Sequence, residues 1–274
     1  MPIKHDNCFY HKFSIHLGFC YRTQKHNMEL LGVDIGGSGI KAAIVDTTTG
    51  QLLSERERIP TPKPSKPKAV AKVINELINR LNWQGPVGVS FPTIIKNGKA
   101  LHHSNMDKKW QGKQVDAFLK THCNRDFYVL NDADAAAMAV MEFGAGKGKE
   151  GLVITITLGT GIGSGVFFNG QLISNVELGR IYGKKGDIME SFAADSARKR
   201  EDLSYKEWGK RLNFFLEHVE QTFHPELIII GGGISKKMDR FEKYITIDTP
   251  VIPAKLLNNA GIIGAALFAL KHTK

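Results

Sequence analysis

The chain has 274 residues, 42% of them hydrophobic and 23% charged, with a formal net charge of +10, a balance that excludes a largely disordered chain and leaves room for two cores. No apolar run reaches the roughly 18 residues a membrane helix needs, so a soluble protein with no membrane partner is expected. The surplus of lysine attracts polyanions without choosing among them, and no nucleic-acid-binding module surrounds it, so no nucleic-acid partner is expected. The three cysteines, Cys8, Cys20 and Cys123, lack zinc or disulfide spacing and fit a reducing cytoplasm.

Residues 1–27 carry His5, His11, His16 and His26 among interrupted apolar residues, without the continuous apolar core of a secretion signal. They read as a disordered extension or a misassigned start, with Met28 as the alternative first residue. The organised pattern begins at Glu29-Leu30. The apolar run Leu30-Leu31-Gly32-Val33 leads into Asp34, Gly36, Gly37, Ser38 and Gly39, and a second β-like segment runs from Ile40 to Val45. This is a β-hairpin with a glycine-rich bend. Beyond a proline-rich connector (Pro60, Pro62, Pro64, Pro67), Lys68 to Leu81 has helical spacing, Val87 to Pro92 reads as a buried strand ending in a turn, and Phe127 to Leu130 as another ending at Asn131-Asp132. Ala133 to Phe143 is a helix closing at Gly144-Ala145-Gly146. The first lobe is placed at 28–146 and the second at 147–274.

The second lobe repeats the opening. Leu152 to Leu158 leads into Gly159, Thr160, Gly161, Gly163 and Gly165, Val166 to Phe168 returns, and Asn169-Gly170 turns. A helical stretch follows around Ser204 to Phe223, then the strand Leu227 to Ile230, which ends at Gly231-Gly232-Gly233. Ala260 to Leu270 reads as a buried terminal helix that is free to pack back on the first lobe. Neither glycine bend runs into a helix, as a dinucleotide-binding loop or P-loop must. Two bends with exposed N–H groups grip a phosphate chain from both sides instead, which points to phosphoryl transfer. Duplicated β-first halves with helices between strands predict an α/β protein.

Asp34 stands where a carboxylate would meet a metal-bound phosphate, although an Asp-Gly turn alone explains it too. In Asn131-Asp132-Ala133-Asp134 either aspartate could cap the following helix. Asp132 is the candidate base for a sugar hydroxyl, with Asp134 as structural partner and Asn131 as donor and acceptor for a neighbouring hydroxyl. Spacing does not choose between cap and base. Asn105 and Glu177 lie in polar loops.

Taken together, Asp34-Ile35-Gly36-Gly37-Ser38-Gly39-Ile40-Lys41, Leu130 to Ala136, Leu158 to Gly163, Glu177-Leu178-Gly179, Asn105 to Trp110, Ile230 to Lys236 and Asn258 to Gly261 resemble the ROK family of sugar kinases, and within it the polyphosphate-using glucokinases. The likeness runs from about Leu30 to Phe268. It implies a two-lobed actin-like ATPase domain fold of the duplicated ribonuclease H-like type, with hexose and donor meeting between the lobes. It implies Asp132 as general base and Asn105, Asn131, Glu177 and Arg180 around the sugar. Gly36, Gly37, Ser38, Lys41, Gly159, Thr160, Gly161, Gly232 and Gly233 would line the donor phosphates, with Asp34 acting indirectly through Mg2+.

Family members usually follow Glu-Leu-Gly with a histidine, where this chain has Arg180, a planar fixed charge that cannot copy neutral imidazole. The family's zinc-binding cysteine cluster is absent, so no zinc is expected. The resemblance further implies glucose with inorganic polyphosphate, ATP or both as substrates, a homodimer and a cytoplasmic location. Lys108, Lys109, Lys113, Lys184 and Lys185 are expected near the cleft as a polyphosphate track, with a solvated face as the alternative. Competing readings are an ATP-dependent hexose or amino-sugar kinase, a weakened sugar or polyphosphate binder, and a sugar-responsive repressor, for which 27 residues leave no room for a winged helix.

Overall fold

The computed structural model describes residues 29–102, 105–183, 186–254 and 259–273. The extension over 1–27, Ser104, Lys184, Lys185 and Asn258 lie outside the described residues. In chain order, β1 (Glu29–Ile35), β2 (Ile40–Asp46) and β3 (Glu57–Ile59) form an antiparallel meander, followed by helix α1 (Pro67–Arg80) and β4 (Val87–Phe91). A small hairpin of β5 (Ile95–Lys96) and β6 (Lys99–Ala100) precedes α2 (Val115–Cys123), β7 (Phe127–Asn131) and α3 (Asp132–Phe143). Then β8 (Leu152–Leu158), β9 (Ile162–Phe168) and β10 (Gln171–Ile173) repeat the meander. The short helices α4 (Met189–Ala193) and α5 (Asp195–Arg200) lead to the long α6 (Tyr205–Phe223), and β11 (Leu227–Gly231), β12 (Val251–Pro253) and α7 (Ala260–His272) close the chain.

The duplication is visible in the strand order. The first sheet runs β3-β2-β1-β4-β7 and the second β10-β9-β8-β11-β12; in each, the opening three strands are antiparallel and the last two join in parallel. Parallel strands need crossovers, and helices supply them: α2 and the β5–β6 hairpin between β4 and β7, and α6 on the way to β11. Three apolar clusters define five layers. Val70, Ile74, Leu77 and Leu119 of α1 and α2 cover the outer face of the first sheet. Trp208, Leu212, Phe215 and Val219 of α6 cover the outer face of the second. Between the sheets, α3 and α7 share one core with Leu30 and Val45 from one side and Val153 and Ile229 from the other.

That middle layer explains why α7 is apolar nearly all round: it is buried from Ile262 to Leu267 and again at Ala269. It lies against β1 and β4, so the last helix packs on the first sheet. Backbones touch there. A Cβ on Gly32 would stand 2.0 Å from the Ile262 carbonyl oxygen, and one on Gly264 would stand 1.7 Å from that of Ala135, separations no side chain survives.

Helix ends are set by local chemistry. Pro67 opens α1, where its missing N–H is no loss. Ser204 and Glu207 exchange hydrogen bonds in a capping box at the start of α6. At α3 the cap is Asn131, whose Oδ1 accepts from Ala133 N at 2.8 Å and Asp134 N at 3.2 Å; Asp132 Oδ1 only shares the Ala133 N–H, at 2.9 Å, and the Asp134 side chain takes no part in the cap. Cys123 is buried with its Sγ 3.6 Å from the Ala71 carbonyl, and burial raises its thiol to about 11. Among the described residues no helix is long and apolar enough to cross a membrane.

Candidate active site

The strand ends that carry the two bends open on one cleft of about 800 Å³ between the sheets. Its walls include Asp34, Gly36 and Gly37 from the first bend, and Gly159, Thr160 and Gly161 from the second, with Asn105, Asn131, Asp132, Glu177, Arg180, Gly232 and Gly233 between them. Residues up to nearly 200 positions apart thus meet in one space. Ser38 and Lys41 do not line it. The Ser38 carbonyl accepts from Arg58 Nη2 at 3.0 Å, and Lys41 Nζ is paired with Asp34 Oδ2 at 3.1 Å. Lys108, Lys109 and Lys113 also stay outside the lining; Lys108 and Lys109 sit in a single 3-10 turn capped by Asp107, and Lys113 lies over the Phe118 ring.

The first bend is braced from below. Gly36 N donates to Gly39 O at 3.0 Å, and the Gly36 carbonyl accepts from Thr61 Oγ1 at 2.5 Å. Asp34 is opposite Lys41 in the β1–β2 register, and its Oδ1 accepts from Ser90 Oγ at 3.1 Å, so the carboxylate is aimed by two strands. The second bend is braced by the helices behind it. Gly159 N donates to Gly161 O at 3.0 Å and Gly159 O accepts from Ser196 N at 3.0 Å, Thr160 O accepts from Ser196 Oγ at 2.6 Å, and Glu190 Oε2 accepts from Ile162 N at 2.9 Å. The Gly36 and Gly159 N–H groups are therefore spent inside the bends, while those of Gly37 and Thr160 donate to no atom among the described residues.

Asp132 is the first residue of α3, one step beyond the cap. Its carboxyl is open to solvent through the mouth of the cleft and crowded on its other sides. Burial is the main cause that raises it to about 6, Asp34 and Glu177 add to the rise, and the Ala133 N–H opposes it. Such a group is ionised at neutral pH yet basic enough to take a proton, the balance general-base catalysis favours. Glu177 is also raised, first by burial, with Arg180 pulling it down and Glu190 pushing it up. Arg180 Nε stands 4.0 Å from Glu177 Oε2 and its side chain is 60% exposed, so the pair is loose.

Several lining residues were not singled out from the sequence. Glu190 sits on α4, a five-residue helix, and nothing in its local pattern marks it. Thr93 and Ile94 follow the β4 strand end, where the Phe91-Pro92 turn was a usable signal. A second concavity of about 510 Å³ adjoins the cleft and shares Leu158, Gly159, Thr160 and Gly233 with it. Arg198, Lys199 and Lys237 line it. Asp195 at its edge is held below the usual carboxylate range, its hydrogen bonds with Lys199 and Arg198 outweighing its burial.

No group of three or more metal-ligating side chains occurs among the described residues. Asp34 is a single carboxylate already engaged by Lys41 and Ser90. That donor set fits a divalent cation carried by the substrate's phosphates, since magnesium is commonly held by one or two carboxylates plus phosphate oxygens.

Duplicated sheets, paired glycine bends and an aspartate raised to about 6 in the cleft they line define a sugar kinase of the actin-like ATPase fold. The chain belongs to the ROK family, whose model matches residues 30–181. It is 43% identical to the polyphosphate glucokinase of Mycobacterium tuberculosis (strain CDC 1551 / Oshkosh) over 252 residues, 92% of this chain and 94% of that protein. The polyphosphate glucokinase of Mycobacterium leprae (strain TN) is 42% identical over 86% of this chain and 73% of its own. The crystal structure of the inorganic polyphosphate/ATP-glucomannokinase from Arthrobacter sp. strain KM superposes with a TM-score of 0.82 at 45% identity, covering 90% of this chain and all of that one.

Proposed function

We propose that this chain transfers the terminal phosphoryl group of inorganic polyphosphate, with ATP as a second donor, to the 6-hydroxyl of glucose. The observation that carries the reading is Asp132, raised to about 6, in a cleft that both glycine bends line. Asp132 accepts the hydroxyl proton as the sugar oxygen forms its bond to phosphorus, and the bridging P–O bond to the rest of the donor breaks. Asn105, Asn131, Glu177 and Arg180 hold the remaining hydroxyls; Asn131 has spent its oxygen on the α3 cap and keeps its amide nitrogen for the sugar. Free N–H groups at Gly37 and Thr160 face the transferred group's oxygens, and preorganised donors of this kind contribute most of the stabilisation in such reactions. Asp34 would help hold a donor-bound Mg2+, which would neutralise charge on the phosphates.

The glucokinase and glucomannokinase relatives support polyphosphate as donor, and so does the basic concavity beyond Gly159. A phosphate chain longer than that of a nucleotide would continue toward Arg198, Lys199 and Lys237 rather than toward the lysines of 108–113. The deciding assay measures glucose 6-phosphate from glucose and magnesium, comparing polyphosphate with ATP at matched ionic strength. Faster turnover with polyphosphate is expected. Turnover with ATP alone would make this an ATP-dependent hexokinase, and no product with either donor would overturn the reading. Replacing Lys199 and Lys237 together by Ala is expected to raise the polyphosphate KM about tenfold at low salt, less at high salt, with the glucose KM unchanged.

A further inference from the structure

Asp134, two residues beyond Asp132, is 1% exposed and has no place in the cleft lining. Its Oδ2 accepts the Asn175 N–H at 2.9 Å, while its Oδ1 is buried with no hydrogen-bond partner among the described residues. Asn175 has φ +63°, the left-handed region that asparagine tolerates better than most residues. In that conformation its backbone faces α3 while its side chain reaches another element. Asn175 Oδ1 accepts from Ile95 N at 3.1 Å, and its Nδ2 donates to Ile95 O at 2.9 Å. The amide therefore pairs with the β5 backbone as a neighbouring strand would.

The connection spans the two halves of the protein. Ile95 directly follows Pro92, Thr93 and Ile94, which line the cleft, and Asn175 follows β10 and precedes Glu177 by two residues. We propose that Asp134 and Asn175 are positioning residues that latch these two walls together, fixing the Glu177 turn and the Thr93 wall relative to Asp132 before sugar arrives. This rests on the reading of the cleft as a hexose site.

The chemistry at Asp134 fits a neutral anchor. A buried carboxylate with one unpaired oxygen is costly, and a carboxylic acid or carboxamide of the same shape costs less. Burial raises Asp134 to about 7, against the Asn175 N–H, which lowers it. A carboxamide at this position would still accept the Asn175 N–H, so Asp134→Asn is the rescue variant. Asn175→Gly removes the amide and keeps a residue that adopts positive φ.

Steady-state glucose kinetics at saturating donor and amide hydrogen exchange of the free full-length protein test the latch together. Asn175→Gly and Asp134→Ala are expected to raise the glucose KM about tenfold with kcat within about threefold, while Asp134→Asn stays within about twofold of the wild type. Exchange should accelerate in Asn175→Gly both at Ile95, whose N–H has lost its acceptor, and at Leu178, whose N–H donates to Ser164 Oγ. An unchanged glucose KM, or a fall in melting temperature and active fraction without a KM change, would overturn the proposal. Should the wild type phosphorylate no glucose, the functional reading falls while exchange still decides the latch: acceleration at Ile95 alone, or at neither site, overturns it.

Discussion

The two glycine bends begin as one device and end as two. In the first sheet the penultimate residue of β1 is Asp34, opposite Lys41; at the matching place in β8 stands Thr157, opposite Gly163. One bend thus carries a carboxylate fixed by a cation and a serine, and the other carries no charge. What the second bend carries is room. A Cβ on Gly163 would lie 2.5 Å from Thr157 Oγ1 and 2.9 Å from the Ala133 Cβ, so the bare glycine lets α3 bring Asp132 against β9. On the proposed function, the first bend would supply charge beside the donor and the second the room that positions the base.

The largest effect that tests this division is expected at the base. Asp132→Asn should lower kcat by about 10²- to 10⁴-fold with glucose binding by calorimetry still measurable, because the amide keeps the shape and loses the proton acceptor. Unchanged turnover would remove Asp132 from the role. In the wild type, a carboxyl raised to about 6 must be ionised to act, so kcat/KM should hold above that value and fall as pH drops through it. A profile flat down to pH 5 would contradict the assignment.

The charged bend comes next. Asp34→Asn should lower kcat by about 10²-fold at saturating magnesium, the scale of removing one preorganised electrostatic group, with glucose affinity unchanged. A shift in glucose affinity instead would place Asp34 on the sugar side and erase the contrast between the bends. On the uncharged bend, Gly163→Ala tests packing rather than charge. Overpacking of this kind costs about 1–3 kcal/mol, to be read as a lower urea midpoint, and the displaced α3 should reduce kcat without altering the donor KM.

Much of the scaffold was legible because period and punctuation agreed. The two hairpins, α1, α3, α6, β11 and α7 each joined a clear apolar pattern to glycine, proline or a cap. The three-residue strands β3 and β12 are too short to show a period. The β5–β6 turn at Asn97-Gly98, both at positive φ, and the Val115, Leu119, Cys123 stripe of α2 carry the turn and helix signals that mark these two elements. Within the cleft, residue types pointed to the right neighbourhoods, but spacing could not tell that Asn131 would take the cap. Lys108, Lys109 and Lys113 are close in sequence yet stay outside the cleft lining, whereas Arg198, Lys199 and Lys237 become neighbours only when α5 and the turn after β11 fold beside the second bend.

Arg180 sets the smallest expected effect and the finest comparison, between this chain and the family's usual histidine. The guanidinium stands 4.0 Å from Glu177 and is 60% exposed, a separation at which an ion pair contributes about 0–1 kcal/mol. Glu177 is left with a carboxyl raised by burial and only partly drawn down by Arg180. A histidine could place a neutral ring nitrogen on a sugar hydroxyl without drawing charge from Glu177. Arg180→His is therefore expected to lower the glucose KM by about two- to threefold with little change in kcat, a shift below the weight of one good hydrogen bond. A fall in kcat, above all one confined to polyphosphate as donor, would show instead that the arginine serves the phosphate side of the cleft, and that the division of labour between the two bends extends to Arg180.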